Sequence, residues 1–346
     1  MLTGVWVPPT RLAECGQYSQ VHPADDGRLV TLDDVRAAAV RISGIAVRTP
    51  LLPFREGAWL KPESLQPTGS FKIRGAYNTL SQMTAEERAR GVVTHSSGNH
   101  AQAIARAARL LGIRALVVMP NNAPAVKVAG VRADGAEIEF VGPHNEERVA
   151  RAHEIAQDDG MNLVPSANDV RVIAGQGTIG LEIVEQLAAA GVSDAPVVLV
   201  PVGLGGLAAG VATAVKALRP DAHVFGVEPE IAADTRDSLA RRTLSPWPSE
   251  QTSRTIADGL RGEAPAPIPF RHLLASLDGV VVVSEAEIGA AVAVAAGEAR
   301  LVLEPSGAVS LAGLLNRQAE LPAGPVVCVL SGGNVDPVRY VELLRG

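Results

Sequence analysis

The stretch KPESLQPTGSFKIRG, residues 61–75, sets Lys72 behind the turn-forming run Pro67-Thr68-Gly69-Ser70. The chain has only four lysines (Lys61, Lys72, Lys127, Lys216) among 31 basic residues, and here one stands two positions from Arg74. An ammonium can do what a guanidinium cannot: lose its proton and attack a carbonyl. A free lysine, with a pKa of about 10.4, stays charged at neutral pH. Partial burial between Phe71 and Ile73, or a neighbouring cation such as Arg74, would lower that value and release a nucleophile. The competing reading is a solvated lysine near a helix start.

Three other clusters have chemistry in their spacing. GLGGLAAG, residues 203–210, follows an apolar run and opens a helical one. Glycines there let the backbone turn N–H groups towards an anion, and the helix N-terminus adds partial positive charge. The run lacks the Lys-Ser/Thr of a P-loop and the G-x-G-x-x-G spacing, so a plain tight turn is the alternative. SSGNH, residues 96–100, offers two hydroxyls, an amide and backbone N–H groups suited to a carboxylate, or else an ordinary helix cap. VEPEIAAD, residues 227–234, gathers Glu228, Glu230 and Asp234, either a polar loop or oxygen ligands for Mg²⁺ or Ca²⁺. Together, a phosphate cradle, a carboxylate cradle and a reactive lysine describe pyridoxal phosphate chemistry on an amino acid, with the cofactor carried on the lysine.

Elements that would position these groups follow from periodicity. Short Val-rich runs (GVVTHS, RALVVMP, AEIEFVG, PVVLVPVG, HVFGVEP, GVVVVSE, PVVCVLSGG) alternate with helical stretches such as HAQAIARAARLLG and TIGLEIVEQLAAAG. That alternation predicts a parallel α/β sheet covered on both faces. Ligands in such sheets sit beyond the carboxyl ends of strands, where this chain repeatedly places small polar residues. A first helix is expected at TLDDVRAAAVRI, with Thr31 as N-cap and Asp34 closing the capping box. Residues 1–30 show no periodicity and read as an extension.

Composition narrows the classes. Hydrophobic residues are 47%, charged residues 20% and aromatics 3%, so a core of Ala, Val, Leu and Ile is expected. A net charge of −6 without a basic stripe argues against nucleic acid. Cys15 and Cys328 make no disulfide framework, and no Cys/His spacing resembles a zinc site, which fits the cytoplasm. The uncharged stretch 195–215 has membrane length, but its two prolines and four glycines favour strand, turn and helix. No secretory signal is expected at the N-terminus.

Seven motifs in order, TGSFKIRGA, THSSGNHAQAIA, AGQGTIGLEI, PVGLGGLAAG, TIADGL, LEPSGA and SGGNVD, resemble the serine/threonine dehydratase and serine racemase family of fold type II pyridoxal phosphate enzymes. The resemblance runs from about residue 31 to the C-terminus. It implies a two-lobed, three-layer α/β/α fold with mostly parallel sheets, like the tryptophan synthase β subunit. Residues 31–80 and 166–346 would form the large cofactor lobe, and 81–165 a small, mobile lid lobe. Lys72 would carry the cofactor and remove the Cα proton, with Phe71 against the ring. Gly203, Leu204, Gly205, Gly206 and Leu207 would hold the phosphate, Asn99 the ring hydroxyl and Ser331 the pyridine nitrogen. Thr68, Ser96, Ser97, Asn99 and His100 would bind the substrate. Glu228, the Ala232 carbonyl and Asp234 match the family's divalent-cation site, and a homodimer is implied.

By the same resemblance the chain is expected to be an ammonia-lyase for L-serine, L-threonine or a related β-hydroxy amino acid, giving a 2-oxo acid. Two departures keep alternatives open. Ser97 stands where many dehydratases have alanine and racemases a serine acid-base, so an amino-acid racemase is the second reading. Leu204 replaces a glycine of the phosphate turn, where glycine-only backbone angles would distort the site. That departure supports a third reading, a catalytically silent pyridoxal phosphate-binding protein. No regulatory domain, and hence no feedback by isoleucine, is expected after SGGNVD.

Overall fold

The structure, a computed structural model, describes residues 27–96 and 98–345. Most of the extension expected over residues 1–30, together with Cys15 and Ser97, lies outside the described residues. The strands are β1 (Leu52–Pro53), β2 (Ala58–Pro62), β3 (Val92–His95), β4 (Ala115–Pro120), β5 (Glu137–Val141), β6 (Asn162–Leu163), β7 (Val197–Pro201), β8 (His223–Pro229), β9 (Gly279–Val283) and β10 (Val326–Leu330). Helices α1 (Leu32–Arg41), α2 (Lys72–Ser81), α3 (Ala85–Arg90), α4 (Asn99–Leu111), α5 (Ala125–Ala133), α6 (Asn145–Asp158) and α7 (Val170–Ala189) form the first half. The second half has α8 (Gly206–Leu218), α9 (Asp234–Arg241), α10 (Ser249–Thr252), α11 (Pro267–Ser276), α12 (Glu285–Val294), α13 (Pro305–Arg317) and α14 (Pro337–Arg345).

The strands make a six-stranded sheet in the order β1-β2-β10-β7-β8-β9 and a four-stranded sheet in the order β5-β4-β3-β6. All pairings are parallel except β1 with β2. Strands β4, β7 and β10 are buried along their whole length. Their valines and leucines therefore have helices on both faces, as a parallel sheet requires. The Val-rich runs of the sequence correspond to β3, β4, β5, β7, β8, β9 and β10. The two-residue β1 and β6 and the lysine-bearing β2 carry too little apolar periodicity to be read that way.

Thr31 caps α1 with a capping box closed by Asp34, as the spacing predicts. Stretch 195–215 is β7, a glycine turn and most of α8; among the described residues no helix is long and apolar enough to cross a membrane. Helices α7 and α8 pack backbone against backbone. A Cβ on Gly210 would stand 2.6 Å from the Gly177 nitrogen, so the helices meet where side chains are missing.

Beneath α2 lies a buried ionic network. Arg74 donates to both oxygens of Glu63 at 2.8 and 2.9 Å and to Glu182 at 2.6 Å. Lys61 donates to Glu182 at 2.6 Å, to Gln186 at 2.9 Å and to the Thr49 carbonyl at 2.7 Å. Two cations face two carboxylates, so the network is neutral. Burial opposes the Arg74 charge, but both carboxylates hold its pKa above the usual arginine value. Burial also raises the Glu63 carboxyl, and Arg74 more than offsets it. Breaking one partner of such a pair strands the other charge away from water. Glu63→Gln is expected to destabilise the protein by about 3 kcal/mol in urea titrations. Arg48→Ala, which breaks an exposed pair with Glu185, should cost about 1 kcal/mol or less.

Candidate active site

Lys72 is the first residue of α2. The strand-like contact of Ser70 with Gly332, and the Phe71 N–H donating to the Ser331 carbonyl at 3.1 Å, tie the turn before it to the loop after β10. The Lys72 Nζ donates to the Ser166 carbonyl at 3.1 Å and stands 5.1 Å from the centre of the Phe71 ring. The residue keeps some exposure, yet protein atoms surround its amine. That desolvation lowers its pKa from 10.5 to about 8. Of the two causes offered by the sequence, burial acts and Arg74 does not. Its guanidinium faces the opposite way, into the pair of carboxylates already described.

The glycine turn lies next to this lysine. A Cβ on Gly206 would be 3.1 Å from the Cβ of Ala167, the residue after the carbonyl that holds Lys72. Gly205 takes φ +88°, and among the described non-glycine residues only Arg242 and Arg300 have positive φ. Leu204 therefore avoids the glycine-only region, and the distortion expected of it is absent. No side chain caps α8, so the N–H groups of its first turn, unpaired in any helix, remain for an anion. Gly203, Gly206 and the buried Leu207 line this turn.

From the four-stranded sheet, β3 runs into the N-terminus of α4. Gly98 is the N-cap, not Ser96 or Asn99; the Ser96 hydroxyl accepts the Gly98 N–H at 3.2 Å. Asn99 is held from two sides. Its amide donates to Glu304 at 2.5 Å and its carbonyl accepts from Asn334 at 2.8 Å, while Asn334 also donates to the Thr68 carbonyl at 2.8 Å. Thr68 is buried and its hydroxyl reaches the Ser70 carbonyl at 3.4 Å. His100 is buried with Nε2 3.2 Å from the Val164 carbonyl, which places the ring proton there. Burial, and then the nearby Lys72, lower its pKa to about 3. The ring is neutral and its proton is engaged, so His100 offers a carboxylate its backbone N–H rather than its imidazole. Ser331 is buried and its hydroxyl donates to the Ser306 carbonyl at a long 3.3 Å.

Glu304 and Asn334 carried no assigned role in the sequence reading, although both fall inside quoted motifs. Glu304 precedes a Pro at the start of α13 and looks like a cap, but it is buried beneath Asn99 and its Oε2 has no partner. Burial, and then Asp258, raise its pKa. A charged residue inside the otherwise small and apolar LEPSGA was the available signal for Glu304.

Glu228, Ala232 and Asp234 come together at the end of β8, and all three are buried. The Glu228 oxygens accept the N–H groups of Thr235 and Arg236 at 3.0 Å each. Asp234 Oδ2 is buried without a hydrogen-bond partner. Burial raises the pKa of both carboxyls, and the proximity of Glu228 raises that of Asp234 further. An orphaned carboxylate oxygen beside a second acid fits a hard cation. The set holds only two acids with a backbone carbonyl, and among the described residues no group of three or more His, Cys, Asp or Glu is placed for a metal.

Residues 42–332 match the family model described as pyridoxal-phosphate dependent enzyme, and the chain belongs to that family. It is 40% identical over 319 residues to an L-threonine ammonia-lyase of Thermotoga maritima, covering 89% of this chain and 76% of the relative. It is 39% identical to an L-threo-3-hydroxyaspartate ammonia-lyase of a Pseudomonas species, covering 92% of this chain and all of the relative. Its fold is similar to that of maize serine racemase, with a TM-score of 0.85 and 33% identity over 92% of this chain and 98% of the other. The residues present fit the cofactor: an uncapped helix for the phosphate, a desolvated amine for the aldehyde and a neutral hydroxyl, Ser331, for the ring nitrogen.

The Lys72 shift has a sign that can be tested. A folded-state pKa below 10.5 means the native chain binds fewer protons than the unfolded chain between pH 8 and 10.5, so stability rises with pH across that window. In cofactor-free protein, Lys72→Met should be more stable than wild type at pH 7 by about 2 kcal/mol, discounted for partial exposure. The gap should close as pH passes from 8 to 10.5 in chemical denaturation.

Proposed function

We propose that the chain is an ammonia-lyase that converts L-threonine, L-serine or a related β-hydroxy amino acid to a 2-oxo acid and ammonia. One observation carries the reading. A desolvated Lys72 amine stands in a crevice between two helix N-termini, one beside each sheet: α8 for a phosphate and α4 for a carboxylate. Bound pyridoxal phosphate supplies a sink for the electron pair left on Cα when its proton departs. Lys72 Nζ takes that proton; with a pKa of about 8 it is partly neutral at physiological pH. The backbone N–H groups of Asn99 and His100 would hold the substrate carboxylate, and the Asn99 amide, which Glu304 and Asn334 orient, would bind the ring hydroxyl. Gly203 to Leu207 would hold the phosphate, with Phe71 beside the ring. Ser331, being uncharged, keeps the ring a moderate sink, which favours loss of the β-hydroxyl over amino transfer.

Residues 31–80 with 166–346 form the cofactor lobe and 81–165 the lid in this reading, which the division into two sheets supports. A cytoplasmic homodimer belongs to the same reading, on the family resemblance of the sequence alone. Racemisation is the second reading, favoured by Ser97, whose hydroxyl would serve the face of Cα opposite Lys72. The similarity to maize serine racemase supports racemisation as the second reading.

L-Threonine and L-serine should release 2-oxo acid, and Lys72→Ala should lose about a thousandfold or more of that rate. Chiral chromatography that finds abundant D-serine and little pyruvate would reverse the order of the two readings. Borohydride should fix the cofactor's absorbance onto wild type and not onto Lys72→Ala. For the cation, Mg²⁺ or Ca²⁺ should raise the melting temperature of wild type by a few degrees, as about 1 kcal/mol of ligand stabilisation does. Asp234→Asn should abolish that rise.

A further inference from the structure

Lys127 and Asp258 stand on opposite walls of the crevice. Lys127 lies in the first turn of α5, beside the four-stranded sheet, and Asp258 opens the 3-10 turn Asp258–Leu260 that packs on the glycine turn after β7. Lys127 Nζ donates to Asp258 Oδ2 at 2.5 Å; the lysine side chain is 7% exposed and the aspartate 35%. The ammonium crosses directly over Gly98, the N-cap of α4, where a Cβ would stand 3.1 Å from Nζ. On the other side, Asp258 Oδ1 accepts from the Ser306 hydroxyl at 3.3 Å, and the Ser306 Oγ in turn accepts the Gly259 N–H at 2.8 Å. The Gly259 carbonyl lies 3.1 Å from where a Cβ of Gly203 would be. A continuous set of contacts thus runs from the N-cap of α4 to the phosphate turn, and its one ionic link is the Lys127–Asp258 pair.

We infer that Lys127 and Asp258 are positioning residues for the reaction: their pair locks residues 98–100 against residues 203–207 and so sets the spacing between the substrate's carboxylate and the cofactor's phosphate. Neither residue needs to touch the reacting atoms for this. Burial disfavours the Lys127 charge, and Asp258, then Glu304, outweigh it, so the ammonium stays charged and attached to the opposite wall. Arg261 is the other cation facing it. A partly desolvated pair spanning two walls is strong enough to bias their approach, whereas a fully exposed one is not. The kinetic part of this inference rests on the ammonia-lyase reading.

The test uses holoenzyme carrying Lys127→Met, Asp258→Asn or both. Each single change should raise the KM for L-threonine about tenfold, leave kcat within about threefold and speed amide exchange over residues 98–111. The double variant should be no worse than the worse single one, because both break the same link. The cofactor's dissociation constant should stay within about twofold, since the phosphate turn keeps its own contacts. Multiplying effects in the double variant, unchanged exchange in a folded single variant, or a fall in kcat at constant KM would each overturn the proposal. If Asp258→Asn does not fold, Lys127→Met alone decides it through exchange and KM. Wild-type protein that turns over neither L-threonine nor L-serine sinks the lyase reading instead, and exchange over residues 98–111 then judges the pair alone.

Discussion

A lysine amine kept from water without a counter-charge is the constraint around which the site is built. Burial lowers the Lys72 pKa with no ionic partner to oppose it, and the one hydrogen bond recorded for its Nζ goes to a neutral carbonyl. Arg74 and the buried histidines beside it leave the amine alone. Arg74, two residues along the same helix, spends its fork on Glu63 and Glu182. His100 and His95 are held neutral by burial, with pKa values lowered to about 3 and about 4. A carboxylate beside Lys72 would have raised its pKa and kept the proton on; a free cation would have competed for the anions the crevice is shaped to take. The buried ionic network under α2 is therefore a requirement of the chemistry above it as well as an anchor for the helix.

The rarity of lysine in this chain turns out to have structural meaning. Lys61 makes three hydrogen bonds from one ammonium, to a carbonyl, a carboxylate and an amide, which a planar guanidinium cannot do from the same volume. Lys127 fits a compact charge over Gly98. Lys216 reaches the Ala222 carbonyl and Asp278 together. In a chain where arginine is the default cation, lysine marks places that need a small head with divergent donors, or one that can shed its proton. That signal pointed to Lys72 in the sequence and pointed equally to Lys61 and Lys127, which no local motif marked.

What was legible shares a feature: it is local. The capping box at Thr31, the Val-rich strands, the glycine turn and the hydroxyl-rich loop are decided by residues within a few positions of one another. What was hidden is long-range. Arg74 meets Glu182 across 108 positions, Asn99 meets Glu304 across 205, and Lys127 meets Asp258 across 131. A lone charge in a helix has no local mark of whether its partner is water or a residue far along the chain. Of the two causes the sequence offered for a lowered Lys72 pKa, burial and Arg74, the second fails for that reason: adjacency in sequence placed Arg74 near, and its carboxylate partners turn it away.

Neither anion cradle is selective by itself. A helix N-terminus accepts any small anion, and this site has two, so discrimination must come from the distance and angle between them. The chain fixes that relation from two directions. On one side, the Ser70–Gly332 contact and the Asn334 amide, shared by Thr68 and Asn99, tie the Lys72 turn to the α4 N-terminus through the loop after β10. On the other, Lys127 and Asp258 join the two walls directly. The first connection is built of neutral, partly buried hydrogen bonds and backbone. The second rests on a single ion pair, in which Asp258 keeps a third of its side chain in water. The two connections therefore differ in what undoes them: loss of one charge breaks the second and leaves the neutral hydrogen bonds of the first in place.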